Sequence, residues 1–89
     1  MKKIKFNNEL FNIIPSPKEK NVLFIFHKKD GTIFQVEDVT KELILDLSSK
    51  KIEENIIFNK YTNKYNMKFI DKKNFQKIIN EMKRNKVII

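Results

Sequence analysis

The chain of 89 residues has no cysteine, one glycine, two prolines and one histidine. Without cysteine there are no disulfides, no thiolate metal sites and no thiol nucleophile, an absence that fits a cytoplasmic protein. A single glycine excludes a phosphate-cradling loop or a dinucleotide fingerprint, which need several glycines for close backbone approach. The lone His27 has no Glu or His neighbour at ligand spacing and reads as a surface residue at a strand end. No apolar run approaches the roughly 20 residues that span a bilayer, so no membrane association is expected. The start, Met1-Lys2-Lys3-Ile4-Lys5, is basic, but Lys5, Asn7, Asn8, Glu9 and Asn12 interrupt any hydrophobic stretch. A targeting segment is not expected.

What the chain does contain is apolar bulk and positive charge. Fourteen Ile and eight Phe, within a hydrophobic fraction of 40%, supply a core for one domain spanning residues 1–89. A chain of this size buries only about 60–65% of its unfolded surface, too little to enclose a catalytic cavity beside that core. The net charge of +8 is uneven: residues 1–44 carry eight Lys against six acids, residues 45–89 eleven basic residues against five acids. The C-terminal half should therefore steer a polyanion or an acidic peptide toward itself. Eighteen Lys against one Arg, with many Asn and Ile, also has the look of a compositional bias that leaves lysine as solvated surface.

Hydrophobic period divides the chain. Phe6–Ile14 reads as a first strand, Pro15-Ser16-Pro17-Lys18-Glu19-Lys20-Asn21 as a loop, and Val22–Phe26 as a central strand apolar on both faces. Asp30-Gly31 then separates Val22–Phe26 from Thr32–Val36, a hairpin signal that predicts a type I′ turn with both central residues at positive φ. After Val36 the period becomes helical. The first helix takes Thr40 or Asp38 as N-cap and a stripe of Val39, Leu43, Ile44 and Leu47, with Val39 and Ile44 as a hydrophobic staple. Ser49 is the expected cap of the second, whose buried face is Ile52, Ile56, Ile57 and Tyr61. Asp71 is the expected cap of the third, with Ile70 and Phe75 as staple and Phe75, Ile78, Ile79 and Met82 along one stripe. The expected fold is α+β: a three-stranded antiparallel sheet followed by three α-helices.

No catalytic constellation emerges. The acids sit at helix starts, where capping explains them, and Ser48 and Ser49 read as caps, so the chain is expected to be a binding module and not an enzyme. Two features invite binding. Residues 60–89 hold nine basic residues against two acids, and Lys72, Lys73, Gln76, Lys77 and Arg84 would face phosphates if the last helix read a nucleic acid. Against this, guanine readout has only Arg84, and winged-helix DNA readers place a helix before the first strand. The second feature is the edge strand Thr32–Val36, to which an extended peptide can add by backbone pairing.

From Asp30 to the C-terminus, about two-thirds of the chain, the sequence resembles the PqqD-like family, the recognition elements (RREs) of pathways that modify ribosomally made peptides (RiPPs). The family's strand–turn–strand corresponds to Asp30-Gly31-Thr32-Ile33-Phe34-Gln35-Val36, and its "T-x-x-L-x-x-L" helix to Thr40-Lys41-Glu42-Leu43-Ile44-Leu45-Asp46-Leu47. Ile52-Glu53-Glu54 with Ile56 matches its acidic helix opening, and Tyr61 or Tyr65 its tyrosine. Its closing "L-x-x-x-G-h-h" corresponds to Phe75-Gln76-Lys77-Ile78-Ile79 through Met82 to Asn85-Lys86-Val87-Ile88. Two positions depart: Ser48-Ser49 replaces Asp-Gly, and Asn85 or Lys86 replaces the late glycine, where Asn85 can adopt the left-handed conformation. The resemblance implies a winged-helix-like, cofactor-free peptide chaperone that binds the leader of a precursor peptide and presents it to a maturation enzyme of radical SAM or cyclodehydratase type. Thr32, Ile33, Phe34, Gln35 and Val36 would pair with the leader, and Asn74, Phe75, Ile78, Met82 and Asn85 would border its groove.

Overall fold

In the computed structural model, which describes residues 2–89, the chain runs β1 (Lys3–Ile4), β2 (Phe11–Pro15), β3 (Val22–His27), β4 (Ile33–Glu37), α1 (Asp38–Ser49), β5 (Ile52–Glu53), α2 (Glu54–Lys64) and α3 (Phe69–Arg84). β2, β3 and β4 form an antiparallel sheet in that order, so β3 is central and β4 is an edge. Together with the three helices this is the expected α+β architecture. The pairs Ile13↔Ile25↔Phe34 and Leu23↔Val36 set the register. Paired residues share a face, so Phe11, Ile13, Leu23, Ile25 and Val36 turn toward the helices. There they join Leu43, Ile44, Leu47, Ile57, Tyr61, Phe75, Ile79 and Met82 in one continuous core.

The expected first strand divides in two. Lys3–Ile4 pairs with Ile52–Glu53, Phe6 bridges to Ile88, and only Phe11–Pro15 enters the sheet. The divide lies at Asn7, whose side-chain amide donates to the Lys86 carbonyl at 2.9 Å and whose N–H donates to the Val87 carbonyl at 2.9 Å. Phe11 N–H returns to the Asn7 carbonyl at 3.1 Å and closes a tight turn. Asn7 is buried, and its side-chain amide helps tie the two chain ends together.

The hairpin is not the type I′ turn expected. Only Gly31 has positive φ (79°); Asp30 does not, because its Oδ1 instead accepts the Thr32 N–H at 2.8 Å. His27 N–H donates to the Thr32 carbonyl at 2.8 Å, which leaves a four-residue loop, Lys28–Gly31. His27 is half-buried and organises that loop: its ring meets Phe11 edge-on at 4.8 Å, and its Nδ1 accepts the N–H groups of Lys29 and Asp30, each at 3.2 Å.

Helix starts also shift. α1 follows β4 with no loop: Glu37 is its N-cap, Asp38 turns the corner at φ 50°, and neither Thr40 nor Asp38 caps it. Ser49 caps nothing downstream; its hydroxyl and that of Ser48 donate back to the Leu45 carbonyl, and Glu53 is the N-cap of α2. α3 begins at Phe69, so Asp71 is its third residue and accepts the Lys68 N–H at 3.3 Å. The Ile70–Phe75 staple does not form, since Ile70 is 62% exposed while Phe75 is core. Ile56 (56% exposed) and Ile78 (37%) likewise fall beside the buried stripes and not on them.

Candidate functional site

The site begins at the free edge of β4. His27 N–H pairs inward with Thr32. Backbone groups alternate in direction along a strand, so the N–H and C=O groups of Ile33 and Gln35 point away from β3, unpaired. The side chains of Phe34 and Val36 turn to the helix side instead. There they meet the C-terminal end of α3 across a pocket of ≈ 140 Å³, lined also by Ile25, Met82, Asn85 and Val87, with Glu81 at its rim. An engineered apolar cavity of about 150 Å³ holds one benzene ring, so the space fits a single large apolar side chain.

α3 supplies one wall through its spacing. Asn74, Ile78, Glu81 and Asn85 lie at intervals of four, three and four residues and so share a stripe. That stripe flanks the buried one formed by Phe75, Ile79 and Met82. The wall ends where Lys86, at φ 62°, reverses the chain and turns Val87 inward; Asn85 itself is at φ −85°. The left-handed residue is therefore Lys86 and not Asn85.

Of the ten residues named from sequence, Phe34, Gln35, Val36, Met82 and Asn85 come together around this pocket. Ile33 adds edge backbone, while its side chain (60% exposed) and that of Gln35 turn to the opposite face of the sheet. Thr32 has no free backbone, because His27 and Asp30 take both its carbonyl and its N–H. Phe75 is core, stacked on Phe58 at 5.6 Å and edge-on to Tyr61 at 6.2 Å, and offers no surface. Asn74 and Ile78 sit further toward the N-terminal end of the stripe, outside the pocket. Ile25 and Val87 were not anticipated. Alternation along β3 was the available signal for Ile25; Val87 depended on where the left-handed residue falls.

The lysine series reads differently in three dimensions. Lys60 lies 2.7 Å from Asp46 and Lys64 2.9 Å from Glu42, so the two clamp α2 to α1. Tyr61 donates to Asp46 and Tyr65 to Glu42, repeating the same three-part contact one turn apart. Burial raises the Asp46 carboxyl, but hydrogen bonds from Lys60 and Tyr61 outweigh it and hold Asp46 below its ordinary range. Lys83 meets Glu54 at 2.8 Å, Arg84 meets Glu81 at 2.7 Å, and Gln76 bonds Asn80 at 3.0 Å. Of the phosphate-facing set proposed from sequence, Lys72, Lys73 and Lys77 carry no ion pair among the described residues. Lys73 lies over the Phe69 ring at 5.2 Å.

A wider cleft of ≈ 780 Å³ opens near the start of α1, among Asn21, Val39, Glu42, Leu45, Tyr65 and Asp71. It has size but no strand edge. The smaller pocket beside β4 combines apolar walls with unpaired backbone and is the better-built candidate site. Among the described residues no group of three His, Asp or Glu is placed to hold a metal ion, and no helix is long and apolar enough to cross a membrane. No family model matches the chain, and no characterised protein or solved structure matches it.

Proposed function

We propose that the protein is a non-catalytic recognition element of the PqqD-like kind. It takes the leader segment of a ribosomally made precursor peptide as a fourth strand on β4 and presents it to a maturation enzyme. The observation that carries this reading is the coincidence of a free edge at Ile33 and Gln35 with an apolar, one-side-chain pocket between β4 and α3. Backbone pairing supplies affinity and the pocket supplies selection. One further feature supports it. Lys86 is left-handed four residues after Met82 and just before Val87-Ile88, where the family places its glycine. The winged-helix-like arrangement, a cytoplasmic location and a partner of radical SAM or cyclodehydratase type belong to the same reading. Nucleic-acid binding is the weaker alternative: Lys72, Lys73 and Lys77 carry no ion pair among the described residues, but Arg84, the one residue available for guanine readout, is engaged with Glu81.

The test compares two substitutions while titrating precursor peptide, drawn from short reading frames beside the gene, and duplex DNA at physiological salt. Gln35→Pro removes an outward N–H that β3 does not use, so the fold should survive by circular dichroism while the leader loses its anchor. Lys77→Ala removes an exposed charge worth about 0–1 kcal/mol. Peptide binding should fall far more with the first than with the second. The opposite order, with a steep loss of DNA affinity as salt rises, would overturn the reading.

A further inference from the structure

The face of the sheet turned away from the helices has the wrong composition for a solvated surface. Register places Ile14 beside Phe24 and Phe26 beside Ile33 on that face, with Asn12 and Gln35 at the two remaining corners of the patch and the Val22–Glu37 pair beyond it, Val22 buried and Glu37 exposed. One-sided antiparallel sheets ordinarily show polar residues outward. Here the centre is two half-buried phenylalanines, flanked by Ile14 at 44% and Ile33 at 60% exposure. The one charge among the eight is the carboxylate of Glu37 at the end of the face, and none of them is a lysine, in a chain that holds eighteen.

That last fact selects the occupant. Two molecules of charge +8 repel wherever lysines face each other, and this patch brings none of its own against a copy. The pattern is also self-complementary. The apolar residues form a diagonal band, and a two-fold axis along that band lays it on its own copy. The same rotation sets Asn12 of each chain against Gln35 of the other. Gln35 Nε2 already donates to Glu37 at 2.7 Å, which leaves its carbonyl oxygen free to accept from the Asn12 amide. The geometry points to a second copy of this chain as the occupant: an isologous dimer packed through the outer faces of the two sheets.

The size of the face sets the strength. Three strands about 4.8 Å apart and five residues long cover about 250 Å² in plan, well under the ~800 Å² per partner of a standard interface. The dimer is therefore weak, forming in the upper micromolar to millimolar range. The backbone edge of β4 stays open in it, and the inference does not depend on the peptide reading.

Sedimentation equilibrium of the whole chain tests it, from about 10 μM to about 1 mM, in about 0.05 M and 0.5 M NaCl. The weight-average mass should rise from 10.8 kDa toward twice that value. Association should tighten in high salt, because screening removes the repulsion and leaves the apolar contact. Ile33→Lys and Ile14→Lys should each weaken association at least ~10-fold by placing like charges in the contact. Both side chains are exposed, so unchanged circular dichroism is expected. Ile14 lies on β2, the far edge, so joint sensitivity cannot come from pairing two β4 edges. A monomer at every concentration in both salts overturns the proposal. So does association that weakens with salt, or that ignores both substitutions.

Discussion

Single residues in this chain carry conformations that their side chains do not favour. Lys86 adopts φ 62° to end α3 and send Val87 and Ile88 back into the core. A left-handed non-glycine residue costs roughly 1–2 kcal/mol, partly offset in a Lys86→Gly change by the entropy glycine adds to the unfolded chain. Lys86 is exposed and makes no side-chain contact that glycine would forfeit among the described hydrogen bonds and ion pairs. Lys86→Gly should therefore stabilise the protein by about 0.5–1 kcal/mol, read as a higher urea midpoint with unchanged slope. Asn85→Gly, at φ −85°, should not.

At the scale of elements, charge does structural work that the lysine count concealed. Asp46 of α1 accepts Lys60 and Tyr61 of α2, Glu42 accepts Lys64 and the C-capping Tyr65, and Glu54 at the start of α2 meets Lys83 at the end of α3. Hydrogen bonding from Lys83 holds Glu54 below its ordinary 4.5 despite partial burial, and hydrogen bonding from Tyr65 and Lys64 lowers Glu42 in the same way. A carboxylate kept ionised by folding takes up its proton later than in the unfolded chain. Unfolding then binds protons, and stability falls as pH drops through 4.5 and then 3.8 toward the lowered values. Urea midpoints should hold between about pH 7 and 5 and decline between about pH 5 and 3. Asp46→Asn should lower the plateau and flatten that decline. An acid limb unchanged in Asp46→Asn would show that the α1–α2 ladder contributes nothing. At the alkaline end the sign reverses. Lys64 is raised by its bond to Glu42 and Tyr61 by burial, so their contributions are lost as pH climbs past 10.

For the molecule as a whole, the decisive contact joins its two ends. Lys5 and Ile89 exchange both backbone hydrogen bonds at 2.9 Å, Phe6 bridges to Ile88, and both Phe6 and Ile88 are core. Ile88→Ala removes a fully buried side chain and should cost about 2–5 kcal/mol. Ile89→Ala, at 48% exposure, should stay within about 0.5 kcal/mol of the parent. Thermal unfolding of the two variants measures the difference. Equal, small effects would mean that the termini are not clamped in solution. The clamp also matters for the site, since Val87 forms one wall of the pocket beside β4.

The order of the three sheet strands and three helices and most of the core were legible in the chain because they depend on local period. A continuous apolar run marked Val22–Phe26, and helical spacing marked Leu43, Ile44, Leu47, Ile57, Tyr61, Phe75, Ile79 and Met82, which are all buried. Half of the candidate site was legible for the same reason: the edge strand follows from a hairpin signal, and Met82 and Asn85 from one helix face. What lay beyond the sequence required knowing which distant groups meet. Asn7 splits the expected first strand because the C-terminal backbone arrives beside it. The Lys60 and Lys64 ammonium groups are spent on carboxylates fourteen and twenty-two residues away. Phe75 and Ile78 sit three residues apart on one predicted stripe, yet the first is sealed under Phe58 and Tyr61 while the second faces outward. Periodicity tells which side chains share a side of a helix; only the packing of its neighbours decides how wide a strip of that side is covered.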